Sequence, residues 1–159
     1  MGTGEVVTAE PTVWTWFLDS EDMDMVRPLA ETCFAEFKYP GSFAWEHFLK
    51  FWQDVTDSSK GGVLGVFEKE NEHWKLRGIL GLMLGVDQFS ADKVCLVNWW
   101  FVMSEHRNHK FGGRLLYNAE SFARFEQCKR ILMGSPFGFE KFFAAHGFSP
   151  IETGYHKVL

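Results

Sequence analysis

The run from Val97 to Leu116, V-N-W-W-F-V-M-S-E-H-R-N-H-K-F-G-G-R-L-L, constrains this chain more than any other part of it. An apolar stretch reads as a strand, a short polar stretch as a loop, and a glycine pair then opens a helical pattern. A strand passing through a loop into a helix start gathers free backbone N–H groups and the positive end of the helix dipole at one point. An anionic phosphate binds at such a point. Arg107, Lys110 and Arg114 add three cations, and Gly112 and Gly113 allow close approach of a ligand to the backbone. Read locally, the segment is a phosphate cradle for a nucleotide-like ligand.

The same residues resemble the acyl-CoA-binding motif of the GNAT N-acetyltransferase superfamily, Arg/Gln-x-x-Gly-x-Gly/Ala between the fourth strand and the third helix. Arg107-Asn108-His109-Lys110-Phe111-Gly112 matches it, followed by Gly113-Arg114-Leu115-Leu116. Further on, Lys141-Phe142-Phe143-Ala144-Ala145-His146-Gly147-Phe148 resembles the family's late helix and its Gly-Phe exit. Pro150-Ile151-Glu152-Thr153 to Lys157 resembles its last strand. Order and spacing agree from about Thr12 to the end. The resemblance implies a single mixed α/β (α+β) domain. Its central sheet would have six to seven mostly antiparallel strands, flanked by about four helices.

The resemblance also implies acetyl-CoA as cosubstrate. Phe101, Val102 and Met103 would present backbone groups to the pantetheine arm, and Arg107, Asn108, His109, Lys110, Phe111, Gly112 and Gly113 would surround the pyrophosphate. Three positions depart from the pattern. Lys110 stands where the family has its first motif glycine. Phe143 stands where many members carry the tyrosine that protonates the departing thiolate. Ser135-Pro136 replaces an asparagine often found before that helix. A phenyl ring donates no proton, so either another phenol, Tyr155 ahead of Tyr117, or ordered water protonates the thiolate, or CoA leaves as the free anion. Asn98 is the one uncharged polar residue within an apolar strand and is the other catalytic candidate, with a structural amide as its alternative role.

Charge separates possible partners. The net charge of −5 argues against general nucleic-acid binding, which needs a basic surface. Between Met1 and Glu36 the acids Glu5, Glu10, Asp19, Glu21, Asp22, Asp24, Glu31 and Glu36 face Arg27 alone. From His106 onward the bases Arg107, Lys110, Arg114, Arg124, Lys129, Arg130, Lys141 and Lys157 outnumber Glu120, Glu126, Glu140 and Glu152. An acidic half and a basic half suit a cationic acceptor and an anionic cosubstrate. The 17 Phe and 7 Trp read first as core, and second as the lining of an acceptor pocket or an interface. Cys33, Cys95 and Cys128 are widely spaced and read as buried thiols. His106 and His109 form the one close histidine pair, without a third ligand, so no metal site is expected. No signal peptide or apolar run of membrane-spanning length is visible, and a cytoplasmic protein is expected.

Periodicity supplies the remaining elements. Met1 to Pro11 reads as a tail, and Thr12 to Leu18 as a first strand. Asp19-Ser20 caps a helix with the stripe Met25, Val26, Leu29, Ala30, Cys33, Phe34 and Phe37, stopped by Tyr39-Pro40-Gly41. Ser42 caps a second helix whose apolar face is Trp45, Phe48, Leu49 and Trp52. Strands are expected over 62–68, 74–86, 94–103, 130–134 and 151–158, and helices over 112–127 and 139–145. The chain is expected to be one domain of 1–159, a monomer or homodimer, acetylating a small-molecule or peptide amine. Two other readings stand beside that one. In the first the domain binds acyl-CoA without turnover, and in the second an aromatic surface is the working part.

Overall fold

A computed structural model of the chain describes residues 12–107, 110–134 and 139–151. Five strands form one sheet in the order β1-β2-β3-β4-β5. They are β1 (Val13–Phe17), β2 (Gly61–Glu70), β3 (His73–Val86), β4 (Lys93–Val102) and β5 (Arg130–Met133). The first four are joined antiparallel, and β4 and β5 are parallel. A parallel step needs a crossover, and the helix α3 (Phe111–Phe125) supplies it. The other helices are α1 (Arg27–Glu36), α2 (Trp45–Asp57) and the short α4 (Glu140–Ala145). The mixed sheet with four helices is the expected architecture. Its strand count is lower than the six to seven expected, and most of the last expected strand, 151–158, lies outside the described residues.

The sheet separates two cores. On one face α1 and α2 cover Val63, Phe67, Ile79 and Phe101, with Met23, Val26, Leu29, Cys33 and Trp52 packed against them. On the other, α3 sets Phe111, Leu115, Ala119 and Ala123 over Leu64, Leu80, Leu82, Cys95 and Val102. Spacings of three and four residues place the α3 set on one side of the helix, which is why its pattern was readable.

The first helical segment departs from its expected form. Residues Ser20–Val26 form a 3-10 helix, and α1 begins only at Arg27. Pro28, in the first turn of α1, has no N–H to give the preceding turn and fits a helix start. A 3-10 helix repeats every three residues, so Met23 and Val26 turn inward together while Met25 is exposed. The side chains expected to cap the helices make no such bond. Asp19 starts the 3-10 helix through its backbone carbonyl, which accepts from the Asp22 N–H at 3.1 Å. Ala44, not Ser42, is the N-cap of α2.

Two irregularities position the rest. In the β3–β4 ladder Gly81 faces Trp99 and Leu82 faces Val97, so Asn98 has no partner across the strand. It is a β-bulge, a device that re-aims a side chain and increases local twist. In the β4–β5 ladder the pairing runs from Val94–Arg130 to Val97–Met133 and stops. From Asn98 to Val102, β4 is paired with β3 alone among the described strands. Among the described residues, that edge of its backbone has no strand beside it, and hydrogen-bonding groups there can meet a ligand. Among the described residues no helix is long and apolar enough to cross a membrane.

Candidate active site

β4 carries the site because its side chains alternate across the sheet. Trp99 and Phe101 join the α1/α2 core, whereas Trp100 and Val102 join the α3 core. At the end of the strand, Met103 leads into a 3-10 turn (Ser104–His106), and Lys110 then caps α3.

Lys110 has φ +62°, in the left-handed region. The position thus demands the backbone shape that glycine adopts without strain, although the residue is lysine. The first described bond of α3 runs from the Arg114 N–H to the Lys110 carbonyl, 3.1 Å, and no side chain caps the helix start. Gly112 and Gly113 differ in what surrounds them. A Cβ on Gly112 would lie 2.8 Å from Cζ2 of Trp100, so glycine is needed there for packing. A Cβ on Gly113 would meet nothing within 4 Å. Phe111 is buried in the α3 core and anchors the helix start by its side chain.

Arg107 is committed within the protein. Its Nε donates to the Val102 carbonyl at 2.9 Å, and its Nη2 donates to Glu36 at 2.6 Å. The guanidinium also lies over the Phe101 ring, 5.3 Å from the centroid. It braces the end of β4 against the end of α1, joining the acidic and basic parts of the sequence. The Met103 N–H donates to the Arg77 carbonyl at 3.4 Å. Phe101 and Val102 are both buried, and Asn108 and His109 lie outside the described residues.

One indole donor beside the start of α3 is left over. Trp100 Nε1 is buried and has no hydrogen-bond partner among the described residues. Cε2, the ring atom bonded to it, lies 3.6 Å from where a Gly112 Cβ would stand, so this donor sits beside the helix start. A buried N–H left unpaired costs about 1–3 kcal/mol, which an acceptor atom on a ligand would recover. The other side of Trp100 meets α4, with ring centroids 5.4 Å from Phe142 and 6.1 Å from Phe143. Phe143 also packs on Phe148 at 5.5 Å, so the position of the missing phenol is a ring cluster.

On the opposite face a cavity of about 470 Å³ opens beside the bulge. Phe34, Tyr39, Phe43, Phe48, Trp52 and Trp99 supply its rings, and Asn98 stands in its wall. Asn98 itself is exposed, as its place at the bulge requires. Phe48 and Trp52 contact the Trp99 ring at 5.2 and 5.8 Å. Gly81 makes room for these rings, since a Cβ there would lie 2.0 Å from Trp99 Nε1 and 2.6 Å from Trp52. Cys33 lies in the same wall, and burial, aided by Glu36, pushes its thiol up to about 12. It is no nucleophile near neutrality.

Of the catalytic candidates, Asn98 reaches a cavity. Tyr155 lies outside the described residues, and Tyr117 is exposed on α3 and lines neither described cavity. Sequence reasoning passed over Tyr39 as part of a helix stop. Its phenol borders the cavity, and burial, then Cys33, raises its pKa, so it stays protonated. The available signal was a tyrosine directly before Pro40-Gly41 in the turn that closes over the sheet.

Comparison with known proteins agrees with this geometry. The sequence model of the acetyltransferase (GNAT) family matches residues 23–148, and the chain belongs to that family. A GNAT family acetyltransferase from Staphylococcus aureus superposes with a TM-score of 0.68 at 18% identity, covering 94% of this chain and 100% of that one. Glucosamine-6-phosphate N-acetyltransferase from Arabidopsis thaliana gives 0.72 at 13% identity, over 93% of this chain and 99% of that one. An aminoglycoside acetyltransferase from an uncultured soil metagenomic sample gives 0.70 at 12% identity, over 93% and 97%. At these identities the structures share the fold. A sequence comparison with curated proteins returns no match.

Proposed function

We propose that the protein transfers an acetyl group from acetyl-CoA directly to a primary amine. The observation that carries this reading is the open edge of β4 after Val97, lying between the uncapped start of α3 and the cavity beside Asn98. A donor bound along that edge would have its phosphates at Lys110–Gly113 and its acyl group near the bulge. Backbone N–H groups of β4 would polarise the thioester carbonyl, and both reactants would be held in place. Asn98 would orient the amine. Acetyl-CoA, with its family precedent, is the cosubstrate.

The second reading, a domain that binds acyl-CoA without turnover, is favoured by Phe143, whose ring cannot protonate a leaving thiolate. One experiment separates the two. Acetyl-CoA should raise the melting temperature, and desulfo-CoA should do so similarly, because the phosphates dominate binding. A ligand at about a hundred times its dissociation constant adds roughly 2.7 kcal/mol. Release of free thiol with a panel of amines then identifies an enzyme. Binding without release from any amine identifies the non-catalytic domain, and no binding at all rejects both.

A further inference from the structure

We infer that the acceptor is a small primary amine that carries an aryl ring and no other charged group, its ring held in the cavity beside Asn98. This rests on the acetyltransferase reading and names its substrate class.

The cavity lies at the bulge of β4, on the face opposite Trp100. Its volume, about 470 Å³, falls within the range of small-molecule sites. The lining is continuous ring surface: Phe34 meets Tyr39 at 5.7 Å and Phe43 at 5.5 Å, and Phe48 meets Trp99 at 5.2 Å. Edge and face contacts of this kind favour another aromatic ring. The polar side-chain groups among the described lining residues are the Asn98 amide, the Tyr39 phenol, the Cys33 thiol and the indole N–H groups of Trp52 and Trp99, all uncharged near neutrality.

That lining narrows the cationic acceptor expected from charge asymmetry to one with a single ammonium group. Among the described residues, none of the acidic side chains from Asp19 to Glu36 lines the cavity. Glu36 is paired with Arg107 and Glu31 with Arg27. A polyamine or aminoglycoside brings several ammonium groups. One can rest on a ring face, but the rest would lose hydration without a counter-charge. An amino acid brings a carboxylate, and no cation lines the described wall to receive it. A ring amine meets neither obstacle. Once deprotonated, its nitrogen both donates and accepts, which matches the carboxamide of Asn98.

The test measures initial rates of thiol release at saturating acetyl-CoA with phenethylamine and tryptamine, against spermidine, kanamycin and phenylalanine. The ring amines should show kcat/KM at least about 100-fold higher, the scale of burying one ring. Phe51→Glu places a carboxylate in the wall at an exposed ring. It should raise KM for tryptamine about tenfold, by the loss of part of a buried apolar contact, and leave KM for acetyl-CoA unmoved. Equal or faster turnover of spermidine or kanamycin overturns this assignment and leaves the acetyltransferase reading intact. Turnover of no amine overturns the acetyltransferase reading, and calorimetry then judges the cavity. Tryptamine binding that Phe51→Glu weakens supports it, and absence of heat rejects it.

Discussion

The two faces of β4 differ in what they ask of a neighbour. Trp99 looks onto α1 and α2, where rings surround an open cavity. Trp100 looks onto α3 and α4, where its ring is pressed against Gly112 and Phe142 and its N–H has no partner among the described residues. The first face offers apolar surface and shape, whereas the second offers backbone and indole donors beside a helix start. One strand thus presents two unlike surfaces. It can do so because the bulge at Asn98 changes its pairing at the point where β5 leaves it.

The largest expected effect is on the α4 side of Trp100. Phe143→Tyr restores a phenol to the ring cluster, and a positioned acid is worth about 10²–10⁴ in rate. Turnover should rise toward that range, with CoA affinity unchanged, as single-turnover kinetics and calorimetry will report. Unchanged turnover would mean that the thiol leaves without help from α4. A thiol with a pKa near 8.5 is a tolerable leaving group.

The opposite face should respond through stability. Gly81→Ala drives a Cβ into Trp99 and Trp52 and should cost about 1–3 kcal/mol, typical of overpacking. Gly85→Ala on the same strand meets its nearest neighbour at 3.4 Å and should cost less. Urea denaturation of both variants checks the contrast, and equal losses would show that the rings can move aside.

At the helix start, Lys110→Gly removes the strain of a left-handed lysine, roughly 1–2 kcal/mol. Glycine's greater freedom in the unfolded chain offsets about half of that. A gain in melting temperature with weaker, less salt-dependent CoA binding would show that the ammonium meets phosphate. A gain without loss of affinity would show that the backbone alone suffices.

The last effect is nil near neutrality and common to both faces, and it appears only at high pH. Burial pushes the thiols of Cys33, in the α1/α2 core, and Cys95, in the α3 core, up to about 12. Both ionise more readily unfolded, with an ordinary value of 9.0, so their contribution is complete below pH 9 and is lost as pH rises toward 12. Melting temperature should therefore fall across that window. Cys33→Ala and Cys95→Ala should each flatten the fall, and an unaltered slope would place its origin elsewhere.

Much of this architecture was written in local spacing. The run Leu115, Leu116, Ala119 and Ala123 could only be one side of a helix against a sheet, and it is buried as such. The glycine pair after a polar loop marked the start of α3, and Trp45, Phe48, Leu49 and Trp52 marked the inner face of α2. Backbone periodicity makes such patterns local, so a window of a few turns contains them.

Other features depend on residues far apart in the chain. Asn98 stood out as a polar residue in an apolar strand, but its bulge belongs to the mismatch between β3 and β4, and neither strand contains it alone. Glu36 and Arg107 looked like members of opposing charged halves until folding brought their ends within 2.6 Å. The cavity draws Phe34, Phe48 and Trp52 together with Asn98 and Trp99, so its lack of charge could not be read from regional composition. Sequence alone determined the strand β4 and the start of α3, because each is set by neighbours within a turn or two. The tertiary structure decided the bulge and the aromatic cavity beside it, because long-range packing chooses which side chains share a wall and which charges cancel.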